Sequence, residues 1–109
     1  MAWLLVEDQV VASLEVASSR RERRRGLIGR SGIEGALLLE RTRSVHTFGM
    51  HFMIDVAHCD AEMLVLRVAT MPANRVGLPV WRARSVIETE AGNLRRWGVT
   101  EGTQLEIRR

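Results

Sequence analysis

Short apolar runs, with one stretch of strict alternation at the period of a half-buried strand, punctuate this chain. Trp3-Leu4-Leu5-Val6 predicts a strand, followed by a turn at Glu7-Asp8-Gln9. From Val10 to Ala17 the alternation puts Val10, Ala12, Leu14 and Val16 on one face and Val11, Ser13 and Glu15 on the other, so an N-terminal hairpin is expected. Ala36-Leu37-Leu38-Leu39 is apolar throughout, as a central strand covered on both faces would be. Met53 to Asp60 and Met63 to Thr70, joined across Asp60-Ala61-Glu62, predict a second hairpin. Ala83 to Glu90 and Gln104 to Arg108 bring the set to about seven short strands. Helical signals are few. Ser19 and Glu22 have capping-box spacing, predicting a helix from Arg20 to about Ile28 that Gly29 would stop. Asn93 to Trp97, closed by Gly98, predicts one further helical turn. Arg41 to Phe52 has no clean period and is expected to be a structured loop. Met71 to Arg82, with Pro72, Gly77, Pro79 and Trp81, is a loop long enough to suggest function or mobility. The expected fold is mainly β (α+β), a small barrel-like or half-open β roll with one helix, residues 1–109 forming a single domain.

Composition narrows the classes. With 109 residues, 46% hydrophobic and 27% charged, the chain can build one packed core and fits neither disorder nor a coiled coil. Its apolar runs, such as Ala2 to Val6, fall far short of the roughly 20 residues of a membrane span. The start of the chain lacks a basic flank and turns acidic at Glu7, unlike a secretory signal. A soluble, cytoplasmic protein is the expectation. Cys59 is the lone cysteine, which rules out an intramolecular disulfide and a multi-thiolate zinc site.

Charge is unevenly placed. All sixteen basic residues are arginine, against thirteen acids. Residues 18–43 hold eight of those arginines and only three acids, a cationic segment on an otherwise slightly acidic body. Arg20, Arg21, Arg23, Arg24 and Arg25 would sit in the first turns of the predicted helix, the unfavourable end of its dipole. Glu22, an acidic strand or an anionic partner must offset them. As an anion or partner surface, Arg20, Arg21, Arg23 and Arg24 form the candidate set. The aromatic residues are not interleaved with them, so a solvated helix face outranks nucleic-acid binding.

Candidate chemistry is sparse. His46, His51, Asp55, His58 and Cys59 are residue types a transition metal would take. On one strand, however, His51 and Asp55 would stand about 13 Å apart, while His58 and Cys59 point to opposite faces. No metal and no cofactor is expected. Cys59 reads as a small buried hydrophobe, and no nucleophile elbow or phosphate-cradling glycine loop is present. Asp55, within Phe52-Met53-Ile54-Asp55-Val56, is a carboxylate among apolar residues and needs partners. Arg30, His51 and the Arg41–Arg43 segment are candidates. Asp55 is then either a structural ion pair or amide acceptor, or one wall of a polar pocket completed by Glu88.

Several segments together resemble a known family. Arg23-Arg24-Arg25-Gly26-Leu27-Ile28-Gly29-Arg30 resembles the Arg-x-x-Gly-Leu-Met-Gly-Arg motif of the domain of unknown function 192 family. Ala36-Leu37-Leu38-Leu39 stands at its following strand, Phe48 to Val56 is similar to its central segment, and Val86 to Gly92 with Gly98 and Gly102 resembles its C-terminal signature. Gly49 replaces the usual tryptophan, Met53 the usual proline, and Thr103 the common aspartate. The resemblance implies a compact, mainly β fold with one helix, and no particular reaction. It singles out Arg23, Gly26, Leu27, Arg30, Met50, Asp55, Glu88 and Gly92, with Arg30, Asp55 and Glu88 expected to meet.

The function expected on these grounds is a non-catalytic binding or accessory module, with a polar site formed by Arg30, Met50, His51, Asp55 and Glu88. A protein partner is expected and a small-molecule ligand remains open. Two alternatives stand beside it: a small enzyme using Asp55 or Glu88 as general acid or base, and a polyanion binder through Arg20 to Arg25.

Overall fold

A computed structural model describes residues 1–109. Seven strands, β1 (Ala2–Val6), β2 (Gln9–Ala17), β3 (Ala36–Glu40), β4 (Ile54–Cys59), β5 (Val65–Met71), β6 (Ser85–Glu90) and β7 (Leu105–Arg108), form one sheet in the order β5-β4-β6-β3-β2-β1-β7. All neighbours are antiparallel except β2 and β3. The apolar run Ala36–Leu39 is central, as its pattern predicts. The sheet curls until its two edges meet at one end. There Leu64 bridges Gln104, and Val65 and Thr103 share a backbone bond of 2.9 Å. The result is a half-barrel, mainly β. No helix is long and apolar enough to cross a membrane.

Each face of the curled sheet carries its own core. Leu4, Leu14, Ala36, Leu38, Ala57, Cys59 and Ile87 pack on one face with Leu94 and Val99. Leu37, Leu39, Ile54, Val56 and Val86 pack on the other with Leu27, Val45 and Met50. This two-sided burial is why β4 and β6 carry continuous buried residues and no clean alternation. One expected facing is corrected. A bulge between β1 and β2 at Leu4/Leu5 pairs Leu5 with Val10 and leaves Val10 exposed, although Ala12, Leu14 and Val16 keep the predicted core side.

Helix α1 (Arg20–Arg25) is shorter than the spacing predicts. The capping box is present, with the Glu22 amide donating to Ser19 Oγ at 3.1 Å and the Ser19 amide to Glu22 at 3.1 Å. Gly26, at φ +51°, ends the helix three residues before Gly29. The early stop moves Arg23, Arg24 and Arg25 into the last turn, the favourable end of the dipole, so their expected conflict with it is largely absent. A second helix, α2 (Asn93–Arg96), occupies the predicted turn.

The long Pro72–Arg84 connection is stitched to the segment before β4. Thr47 is fully buried. Its hydroxyl donates to the Pro72 carbonyl at 2.6 Å and accepts the Arg75 amide at 2.8 Å. Gly77 and Val80 amides donate to the carbonyls of Val45 and Arg43. These bonds give the loop a defined course, while Leu78 and Trp81 remain exposed.

Gly35 enters β3 at φ +76°, and a Cβ there would overlap the Ser13 carbonyl of β2. Gly35→Ala is expected to cost about 3 kcal/mol or more, from a strained backbone plus a clash that only movement of the β2–β3 pair relieves. Urea denaturation reads this directly; a loss below about 1 kcal/mol would show that the β2–β3 junction yields.

Candidate functional site

Arg30, Asp55 and Glu88 do not meet. Register decides this. Asp55 pairs with Thr89 and Val56 with Glu88 across β4 and β6, so the two carboxylates project from opposite faces of the sheet. Arg30 lies elsewhere on the surface in a bidentate pair with Glu15 of β2, at 2.9 and 3.1 Å. The three-residue site expected from the sequence is therefore corrected to three separate arrangements.

Asp55 is 4% exposed and accepts three hydrogen bonds: Thr70 Oγ1 at 2.7 Å, the Gly92 amide at 2.9 Å and the Leu94 amide at 3.3 Å. Gly92 has no side chain to cap α2, and Asp55 supplies the missing acceptor from β4. None of Arg30, His51 or the Arg41–Arg43 segment bonds it; His51 is exposed. The amide-accepting reading of Asp55 describes this geometry, and its oxygens are already engaged.

Glu88 has the opposite character. It is also 4% exposed, but Oε1 has no hydrogen-bond partner. Burial pushes its carboxyl up to about 7, with the Leu27 amide pulling the other way. Gly26 lies directly over it, and a Cβ at that position would stand 3.0 Å from Oε1. Glu88 lines a recess of about 150 Å³ between the end of α1, the segment around Val45 and β3. Leu27, Leu39 and Met50 supply apolar wall; Arg24, Arg25, Ser44 and His46 supply polar groups. Of the sequence-predicted site residues, Met50, Glu88, Arg23 and Arg24 thus come together at this recess, while Arg30, His51 and Asp55 lie outside it.

The arginines of α1 divide by task. Arg23 is half-buried and spans to the end of β3, its Nη1 donating to the carbonyls of Glu40 at 3.3 Å and Arg41 at 3.2 Å. Arg20, Arg21, Arg24 and Arg25 form an exposed cluster that no carboxylate neutralises; the ion pairs of the protein are Arg30–Glu15, Arg108–Glu106 and Arg109–Glu40. Sequence reasoning missed Arg25, Ser44 and His46 as recess residues. The adjacency of Arg24-Arg25-Gly26 to Glu88 arises from a long-range fold, and only the Arg-x-x-Gly-Leu motif hinted at it.

The remaining candidates are sealed. His58 is buried with neither ring nitrogen bonded, and burial, then the charge of Arg67, hold its pKa below the ordinary value. Cys59 packs in the opposite core, its thiol pushed up to about 12 by burial and by Asp60.

A family model described as an uncharacterized ACR, DUF192, matches residues 3–107. No curated protein matches the chain. Among solved structures, a protein of unknown function from Novosphingobium aromaticivorans DSM 12444 superposes with a TM-score of 0.81 at 18% identity, covering 96% of this chain and 82% of its own. A "putative transcription regulator" from Sinorhizobium meliloti 1021 gives 0.80 at 17% identity, covering 96% and 90%. At these identities the likeness establishes a shared fold.

Proposed function

The chain belongs to the domain of unknown function 192 family, and from that premise we propose that it is a non-catalytic binding module whose site is the recess over Glu88. The observation that carries this reading is a carboxyl oxygen buried without a partner beside an open recess. An unmade hydrogen bond in a buried position costs about 1–3 kcal/mol, and because Oε1 lies sealed under Gly26, a ligand recovers that energy by drawing the Glu88 carboxyl toward the recess. The apolar wall and the few polar groups have the mixed character of small-ligand sites, and the volume suits a molecule of a few heavy atoms. We read residues 1–109 as one domain, and the single cysteine supports a reducing, cytoplasmic compartment.

A thermal-shift panel of small polar metabolites on wild type and Glu88→Gln tests the proposal. A ligand at 100 times its Kd should stabilise the protein by about 2.7 kcal/mol, on the order of 10 °C, with a clearly smaller shift in the variant. Backbone amide shifts confined to Gly26–Ile28 and Val45–Met50 would locate it. Ligand shifts that cluster elsewhere, or that survive Glu88→Gln unchanged, would remove the recess from consideration. Turnover of a bound compound would make the protein an enzyme with Glu88 as its acid or base, a carboxyl near neutrality being suited to that work. Asp55, saturated by its three bonds, is not proposed for that role.

A second reading rests on the exposed Arg20, Arg21, Arg24 and Arg25, which support docking of an acidic protein partner or another polyanion. Binding to short DNA or an acidic peptide that weakens steeply with salt, and is lost in Arg20→Glu/Arg21→Glu, would support it. The Sinorhizobium neighbour's description applies to that protein, and nucleic acid stays the lesser candidate here.

A further inference from the structure

We propose that the recess over Glu88 takes a small organic anion, with its carboxylate on Arg24 and Arg25 and a second polar group on Glu88, and that it binds together with a proton held by Glu88. This inference rests on the recess being a binding site and adds the class of ligand and the form in which it is taken.

The uncommitted groups of the recess select the ligand. Arg24 and Arg25 have no acceptor within the protein, and neither does the Ser44 hydroxyl. His46 Nδ1 accepts the Phe48 amide at 3.3 Å, which leaves Nε2 as the proton-bearing nitrogen of the neutral ring. These are donors, so the ligand must bring acceptors. Guanidinium forks prefer planar, bidentate carboxylates. Apolar wall from Leu27, Leu39 and Met50 favours an organic body over a bare inorganic ion. About 150 Å³ holds the equivalent of roughly five waters, so the part of a ligand that the recess encloses is small.

Glu88 is the exception among the donors, and its protonation removes the exception. An ionised carboxylate beside an incoming anion would be repelled and would leave Oε1 still unpaired. Protonated, the same group is neutral and donates a hydrogen bond. Binding an anion to Arg24 and Arg25 therefore favours the protonated form, and by linkage the protonated form favours the anion.

The other charged groups around Glu88 come from each element that packs on it. Arg23, Arg24 and Arg25 of α1 all line the recess; Arg23 is tied to the carbonyls of Glu40 and Arg41, and Arg24 and Arg25 are not. His46 faces it from the preceding segment. On β6 the nearest same-face group is Glu90, whose Oε1 accepts the Ile33 amide at 3.2 Å. On β4 it is His58, buried, its pKa held below the ordinary value by that burial. The facing residue of β3 is Leu37. His46 is thus the other ionisable side chain at the recess, and its variant serves as the control for Glu88.

The test is calorimetric titration of glycolate, succinate and uncharged glycolamide into wild type, Glu88→Gln and His46→Gln at pH 6 and pH 8, with amide spectra recorded in parallel. At least one of the two acids should bind and shift the amides of Gly26–Ile28 and Val45–Met50, and glycolamide should not. With the Glu88 carboxyl near 7, affinity in wild type and His46→Gln should fall about tenfold from pH 6 to pH 8. In Glu88→Gln it should be nearly flat, and only proteins with Glu88 should take up a proton on binding. Glycolamide binding at those amides without the acids would keep the recess and overturn the anion. A pH dependence that persists in Glu88→Gln would overturn the role of its proton. If no probe moves those amides, the recess itself falls along with the ligand class.

Discussion

Glu88→Gln is expected to gain stability over wild type as pH rises, with the difference growing from pH 4.5 to pH 7 and level above. The folded carboxyl is pushed up to about 7 from an ordinary 4.5, chiefly because burial penalises its charged form. Below 4.5 both folded and unfolded chains hold the proton, and Glu88 contributes no pH-linked cost. Between 4.5 and 7 the unfolded chain releases it first, so stability falls as pH rises; above 7 both states are ionised and the loss is complete. A shift of this size corresponds to about 3 kcal/mol. Gln cannot ionise and escapes the loss. For a chain of this length the relative gain at pH 8 is on the order of 10 °C in melting temperature. Wild type and variant share His58, whose depressed pKa acts in the opposite direction, so subtracting one protein from the other removes it. Urea denaturation of both at pH 4.5 and pH 8 measures the difference. A gap that does not change with pH would show Glu88 titrating as an ordinary surface carboxylate, and the buried-carboxyl basis of the proposed site would fail.

The second large effect belongs to the other carboxylate. Asp55→Ala removes an acceptor from Thr70 and leaves the Gly92 and Leu94 amides without a partner where α2 begins. Hydrogen bonds to a charged acceptor contribute about 1.5–3 kcal/mol each and are not additive; about 4 kcal/mol in total is expected. Asp55→Asn keeps one acceptor oxygen and should cost roughly half as much. Hydrogen exchange distinguishes a lost cap from general loosening. The Gly92 and Leu94 amides should exchange faster in native conditions even after correction for global stability, while β3 amides should follow global stability alone. A cost near zero with unchanged exchange would mean that water replaces the carboxylate. Ligand binding at the Glu88 recess should survive in Asp55→Asn, since the two carboxylates occupy opposite faces of the sheet.

The division between these residues marks where sequence reading stopped. Seven strands, the capping box at Ser19–Glu22 and the central position of Ala36–Leu39 are local patterns, and each appears where its pattern predicts. Asp55 was legible as a carboxylate in need of partners, but its partners were not, because two are backbone amides that any residue could have offered. Arg30, Asp55 and Glu88 share a family motif set and still stand apart. Which face Glu88 takes depends on a one-residue register between β4 and β6, and both strands are buried on both sides, so neither carries the alternation that would reveal it. The helix end was misplaced by three residues for a related reason: two glycines competed, and Gly26 prevails because it closes over Glu88, a contact 62 positions away in the chain.

The meeting of sheet edges has a consequence for the order in which the protein can assemble. The β1–β2 and β4–β5 hairpins close over short spans and can form early. Strand β1, however, is covered on its outer side only by β7, with Leu4 paired to Ile107, and the contact between β5 and β7 uses Thr103, Gln104 and Leu105. Until the chain has been synthesised through residue 108, the outer edge of β1 offers unpaired backbone groups to any passing strand. Pairings of such long sequence separation make for slow folding, and they place the greatest exposure to misassembly just before the last strand docks. The outer edge of β1 thus stays open for as long as β7 has yet to dock.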